Sequence, residues 1–164
     1  MPKASKQKAS IFYSWQSDLP NGTNRGLIQR ALEAAADSLE EQSGLGVTAA
    51  IDRDTLGLPG SPDIADAIFK KIEAASVVVC DVSIVTDGTV RPSPNPNVLV
   101  ELGYALHALG SDRVVLAMNA AFGGPELLPF DLRQRRILTY RAEPRQPVAR
   151  DCPKGTGGKA PPGV

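Results

Sequence analysis

Apolar residues along this chain follow two alternating rhythms. Short β-rich or continuous apolar runs occur at residues 10–15, 47–51, 76–80, 113–118 and 136–140, and each reads as a strand. Longer stretches between them carry apolar residues at helical spacing. Leu27, Ile28, Ala31, Leu32, Ala35 and Leu39 predict a helix capped by Thr23 or Asn24 and ending near Gln42. Ile64, Ala67, Ile68 and Ile72 predict a second, opened by Ser61, Pro62 and Asp63 as cap, first helical residue and early acid. Val98, Leu99, Leu102, Ala105, Leu106 and Leu109 predict a third, opened by Asn95 and Pro96 and stopped by Gly110. Residues 122–133 read as a loop with a short helix. This alternation predicts an α/β fold, a three-layer sandwich with helices on both faces of a parallel sheet. For five strands the expected arrangement is the flavodoxin-like order 2-1-3-4-5.

The pattern stops at both ends. Residues 1–9 hold three lysines and no acid, and residues 144–164 hold five prolines and four glycines with little apolar periodicity. We therefore expect a disordered basic N-terminus over 1–9, one domain over 10–142 and a disordered tail over 143–164. This division changes the meaning of the composition. The chain has 164 residues and 18 basic against 18 acidic side chains, so its formal charge is zero. Within residues 10–140, however, 16 acids face 10 bases. An acidic domain of this kind excludes a strongly basic nucleic-acid binder, and direct nucleic-acid binding is not expected. A hydrophobic share of 42% with no run long enough to span a bilayer, and no apolar segment behind the N-terminal lysines, predicts a globule away from the membrane. Two cysteines, Cys80 and Cys152, make no disulfide framework, so a cytoplasmic location is expected.

In a sheet of that order, ligands bind beyond the carboxyl ends of strands 1 and 3, where the winding reverses. Glu101 is the lone acid of an apolar helical segment and lies four residues after Asn97, on the same face. It reads either as a carboxylate able to stabilise or attack a cationic sugar centre or as part of a solvated helix face. Asp52, Arg53 and Asp54 follow the second strand: Arg53 suits a phosphate and the acids suit ribose hydroxyls, or all three are ordinary loop residues. Asp81 ends the third strand. Asp52, Asp54 and Asp81 also suggest a Mg²⁺ cluster of the phosphate-receiver kind, but that arrangement needs its acid pair after the first strand, where Ser14, Trp15 and Gln16 stand. Trp15 reads as a ring to stack a base or as a core residue at a strand end, and Ser14 and Ser17 as phosphate contacts. Arg25 opens the first helix, where anions are favoured. His107 has no partner at ligand spacing, so no metal site is expected, and Cys80 reads as an inert buried thiol. No phosphate-binding Walker loop or dinucleotide glycine fingerprint is present.

Four segments carry a family resemblance. They are Ile11-Phe12-Tyr13-Ser14-Trp15-Gln16-Ser17-Asp18; Asp52-Arg53-Asp54 with residues 60–68; Ser76-Val77-Val78-Val79-Cys80-Asp81-Val82-Ser83; and Asn97-Val98 followed by Glu101-Leu102-Gly103-Tyr104-Ala105. Together with residues 128–140 they resemble a bacterial TIR (Toll/interleukin-1 receptor)-like domain over about residues 10–140. In enzymes of that family the resemblance implies cleavage of the nicotinamide–ribose bond of NAD⁺, as substrate and not as cofactor. It assigns the catalytic glutamate to Glu101 and a gating, subunit-joining loop to residues 52–61. It implies a homo-oligomer or TIR–TIR assembly, a separate sensor protein, and anti-phage defence through NAD⁺ depletion or cyclic ADP-ribose. On this reading Arg53 and Arg25 offset the pyrophosphate, and Ser14, Trp15, Asp52, Asp81 and Asn97 contact the substrate. The family usually closes the sheet with a fifth helix, whereas Tyr140 here is followed by Arg141, Ala142, Glu143 and a Pro/Gly tail. The final helix is therefore expected to be missing. Two alternatives share the pattern: a nucleoside 2-deoxyribosyltransferase-like enzyme, which also uses a glutamate on an N-glycosidic bond, and a non-catalytic self-association module.

Overall fold

The computed structural model describes residues 8–43, 48–52, 64–86 and 91–144. Its elements are β1 (Lys8–Ser14), α1 (Arg25–Ser43), β2 (Thr48–Asp52), α2 (Ile64–Ala74), β3 (Val77–Asp81), α3 (Pro96–Leu109), β4 (Val114–Asn119), α4 (Phe130–Arg133) and β5 (Ile137–Tyr140). All neighbouring strands pair in parallel, in the order β2-β1-β3-β4-β5. The architecture is a doubly wound α/β sandwich of the flavodoxin-like type. Short 3-10 turns at Ala120–Phe122 and Pro125–Leu127 precede α4 in the stretch expected to be mostly loop.

Alternation along the strands divides the core. Phe12, Val78, Cys80, Leu116 and Met118 point to the side of α2 and α3, where they pack with Ile72, Val98, Leu102 and Ala105. Tyr13, Val79 and Ala117 point to the other side and pack with Ile28 of α1. β3 sits near the sheet centre and is apolar on both faces, which explains its unbroken Val-Val-Val-Cys run. Each fully buried Val, Leu or Met contributes about 1.5–3 kcal/mol relative to exposure. α3 is the best-anchored helix. Val98, Leu102 and Ala105 lie on one stripe and are buried, and the Asn95 side chain caps its start by accepting from the backbone N–H of Asn97 and Val98. Gly110, with φ at +77°, takes the chain out of the helix.

The two faces are unequally covered. Ala117 of β4 pairs in register with Leu138 of β5, on the α1 side, and Leu138 is 53% exposed. Among the described residues no helix follows β5, and residues 141–144 have no regular structure. The rest of the tail lies outside the described residues.

Four strand boundaries need correction. β1 begins at Lys8, inside the segment expected to be disordered, because Lys8 and Ala9 pair with Thr48 and Ala49 of β2. β2, β3 and β4 each run one residue further than expected, to Asp52, Asp81 and Asn119. Asp and Asn usually signal turns. For Asp81 and Asn119 the backbone stays in the ladder while the side chain holds the segment that follows.

Candidate functional site

β1 lies between β2 and β3, so the chain turns outward in opposite directions from adjacent strand ends and a crevice opens above β1 and β3. Alternation on β1 decides what faces it. Phe12 and Ser14 share the α2/α3 side, and Ser14, paired in register with Cys80, is the last residue of the strand. α3 starts close above. Its Glu101 lies one turn after Asn97 and meets Ser14, whose Oγ donates to Glu101 Oε2 at 2.5 Å. Such a charge-assisted bond fixes the carboxylate rotamer. Ser14 is buried and Glu101 is half-buried, so the carboxylate is held from below and stands at the surface of a cleft.

That cleft has a volume of about 230 Å³ and is lined by Phe12, Tyr13, Trp15, Gln16 and Ser17 from β1 and the loop after it, by Asn95, Asn97 and Glu101, and by Ile68 of α2. Asn97 is exposed. Asn95 donates through Nδ2 to Asp18 Oδ2 at 2.6 Å, tying the loop after β1 to the start of α3. Beside the cleft, the Arg25 guanidinium lies over the Trp15 ring at 3.4 Å from its centroid. The ring itself packs against the cluster of Tyr13, Ile28, Val79 and Ala117. Trp15 thus serves as a platform for a cation at the first residue of α1.

Cys80 is wholly buried. Burial, and then the nearby carboxylates of Glu101 and Asp81, push its thiol up to about 12. It stays protonated at neutral pH and is unsuited to act as nucleophile or metal ligand.

Asp81 corrects an expectation. Its carboxylate is 0% exposed and does not face the cleft. Oδ1 accepts from the backbone N–H of Ser83 at 3.1 Å and from Ser83 Oγ at 2.5 Å, and Oδ2 accepts from Gln16 Nε2 at 3.1 Å and Asn24 Nδ2 at 3.4 Å. Asn24 also donates to Ser83 Oγ, and Asn119 Nδ2 donates to Asn24 Oδ1, to the Thr23 carbonyl and to the Ala142 carbonyl. Gln16, Asn24, Asp81, Ser83 and Asn119 are therefore one buried polar network. It ties the ends of β1, β3 and β4 to the start of α1 and to the stretch after β5. Its donors satisfy the buried charge, so Asp81 holds the crevice floor together and is not a substrate contact. The same region holds the Tyr13 hydroxyl, a buried side-chain polar atom without a hydrogen-bond partner among the described residues. Burial, with the Asp81 charge adding, raises its pKa well above the usual phenol range.

The remaining expected residues fall at the margin. Asp52 ends β2, beside Phe12 in register. Its side chain, Arg53, Asp54 and most of the expected gating loop lie outside the described residues, as does Cys152. His107 is exposed in the last turn of α3, away from the cleft. Among the described residues no helix is long and apolar enough to cross a membrane.

The structure thus brings Trp15, Asn97 and Glu101 to one cleft, with Ser14 beneath Glu101 and Arg25 over Trp15. Sequence reasoning missed Asn95 and Ile68 as cleft residues, and the network of Asn24, Ser83 and Asn119 altogether. A signal for the network existed: Gln16, Ser83 and Asn119 are polar residues within two positions of strand ends, where a doubly wound sheet leaves buried backbone to satisfy.

No family model matches this chain, and no curated protein does. Among solved structures it is similar to a 2-desoxiribosyltransferase from Leishmania mexicana, with 18% sequence identity and a TM-score of 0.41 over 68% of this chain. The match spans 65% of the length of that neighbour.

Proposed function

We propose that this chain cleaves the N-glycosidic bond of a nucleotide whose base is cationic, with NAD⁺ as the substrate and Glu101 as the catalytic carboxylate. The observation that carries the reading is the Ser14–Glu101 bond of 2.5 Å at the open crevice above β1 and β3. One acid, oriented by a buried hydroxyl and facing a cleft, is what this reaction needs. Heterolysis sends the electron pair of the C1′–N bond to the ring nitrogen, so nicotinamide departs neutral and needs no general acid. Positive charge passes to C1′ and the ring oxygen of the ribose, where Glu101 stabilises it. Water then attacks C1′ and loses a proton, giving ADP-ribose. Among the described residues, Glu101 is the one carboxylate that lines the cleft. Asn95 and Asn97 supply hydrogen bonds for ribose hydroxyls, and Arg25 on Trp15 offsets the pyrophosphate charge.

The test is base release from NAD⁺ and, in parallel, from 2′-deoxynucleosides, with Glu101→Ala as control. The proposal expects nicotinamide from NAD⁺ and loss of release in the variant. Base released only from deoxynucleosides assigns transferase-type chemistry to the same glutamate. Equal release by both proteins removes Glu101 from the mechanism.

A further inference from the structure

The cleft has a neighbour. On the other side of Glu101, a groove of about 350 Å³ runs between α2 and α3, lined by Ile64, Ala65, Ile68, Phe69 and Val100, and ending on Asn97 and Glu101. The two spaces share Ile68, Asn97 and Glu101. Among the described residues, the seam between the helices is closed at one end. At the closed end Phe69 stacks on Tyr104 with ring centroids 4.2 Å apart and planes 19° apart, and the Tyr104 hydroxyl donates to Glu73. At the other end Ile64 and Val100 stand 58% and 60% exposed among the described residues, two large apolar side chains that line the groove with Glu101.

We infer that this apolar seam is the pocket for the base of the substrate, a flat aromatic ring that is uncharged once it has left, with Ile64 and Val100 setting specificity for it. The inference rests on the N-glycosidase reading of Glu101. A molecule lying across Glu101 meets Gln16, Ser17, Asn95 and Asn97 beside apolar residues on one side and a mostly apolar lining on the other. An N-glycoside is divided in the same way, with sugar hydroxyls on one side, a ring on the other and the scissile bond between them. The volume of the groove suits a small-molecule pocket, which holds roughly 300–1,000 Å³. Of the aromatic residues that line the cleft, Phe12 and Tyr13 are buried in the core and Trp15 carries Arg25 over its ring, so the base finds its apolar contact in the seam.

The experiment separates this inference from the reading beneath it. Free nicotinamide is titrated into the full chain while the methyl resonances of Ile64, Ile68 and Val100 and the indole of Trp15 are followed. In parallel, steady-state kinetics with NAD⁺ are measured for Val100→Trp, which fills the groove, and Ile64→Ser, which makes its wall polar. Both substitutions fall at exposed positions. The expected result is shifts at the three groove methyls, and a KM raised about ten-fold or more in both variants with kcat changed far less. Shifts confined to the Trp15 indole, or a KM unchanged in both variants while the wild type releases nicotinamide, overturn the inference and leave the glycosidase reading standing. Groove methyls that move on dilution of the protein and not with nicotinamide mark the seam as a contact between copies, which also overturns it. No release from any N-glycoside by the wild type overturns both.

Discussion

Replacing Ser14 by alanine removes one hydroxyl and tests how the site is built. The Ser14 Oγ donates to Glu101 Oε2 at 2.5 Å from a buried strand end, and Glu101 has water on its other side. A hydrogen bond to a charged group contributes about 1.5–3 kcal/mol. If that energy serves to hold the carboxylate where C1′ gains charge, its loss appears in the chemical step. By transition-state arithmetic it corresponds to a fall in kcat of roughly ten- to hundred-fold. KM should move little, because the hydroxyl lies under Glu101 and does not face the cleft. The assay is nicotinamide release at saturating and limiting NAD⁺, with urea unfolding of the same samples to show that the fold persists. Ser14→Thr keeps the hydroxyl and should recover much of the rate, at some cost in stability from the extra methyl group in a buried position. An Ser14→Ala enzyme with wild-type kcat would show that Glu101 is placed without Ser14. One with raised KM and unchanged kcat would make Ser14 a substrate contact, as its sequence position first suggested.

Three further outcomes follow from other parts of the structure. Asp81→Ala leaves the Gln16 amide and the Ser83 N–H and hydroxyl buried without the acceptor they use, and should cost about 3 kcal/mol or more in urea unfolding; a variant of wild-type stability but weakened substrate binding would return Asp81 to the binding site. Arg25→Ala takes the guanidinium off Trp15 and should raise KM for NAD⁺ roughly ten-fold, but not for nicotinamide riboside, which has no phosphate; equal effects on both would refute a phosphate role. Cys80 is held neutral up to about 12 against an ordinary 9.0, and the hydroxyls of Tyr13 and Tyr140 are also raised, both chiefly by burial. Above pH 9 the unfolded chain sheds protons that the fold retains, so stability should fall with rising pH, by about 1.4 kcal/mol per unit for the thiol alone. Urea midpoints between pH 8 and 11 check this, and a flat or rising profile contradicts it.

Much of the fold was legible because its determinants are local. The helical spacing of Val98, Leu102 and Ala105, the Asn95–Pro96 start and the apolar run before Asp81 each fix an element from one stretch of chain. The parallel order follows from the alternation of elements and the hand of crossovers. The carboxylate of the site was legible for a similar reason, as a lone acid in an apolar helix. Its partner was not. That Ser14 meets Glu101 depends on which side of β1 faces α3, a pairing across 87 positions of sequence. The role of Asp81 was misread on the same ground: an acid at a strand end looks alike whether it faces a ligand or a buried set of amides. The groove by Val100 left no trace in the pattern, because an apolar residue off the buried stripe of α3 carries no label of its own.

The central claim is that Glu101 cleaves a glycosidic bond. Glu101→Gln keeps the shape of the side chain and removes its charge, so it asks about electrostatics and not about packing. Purified wild type and variant are incubated with NAD⁺ and the products resolved by mass spectrometry. We expect nicotinamide with ADP-ribose or its cyclic form from the wild type, and a loss of about 100-fold or more in the variant, the scale of removing a group that stabilises transition-state charge. Nicotinamide formed by Glu101→Gln at the wild-type rate would contradict the account.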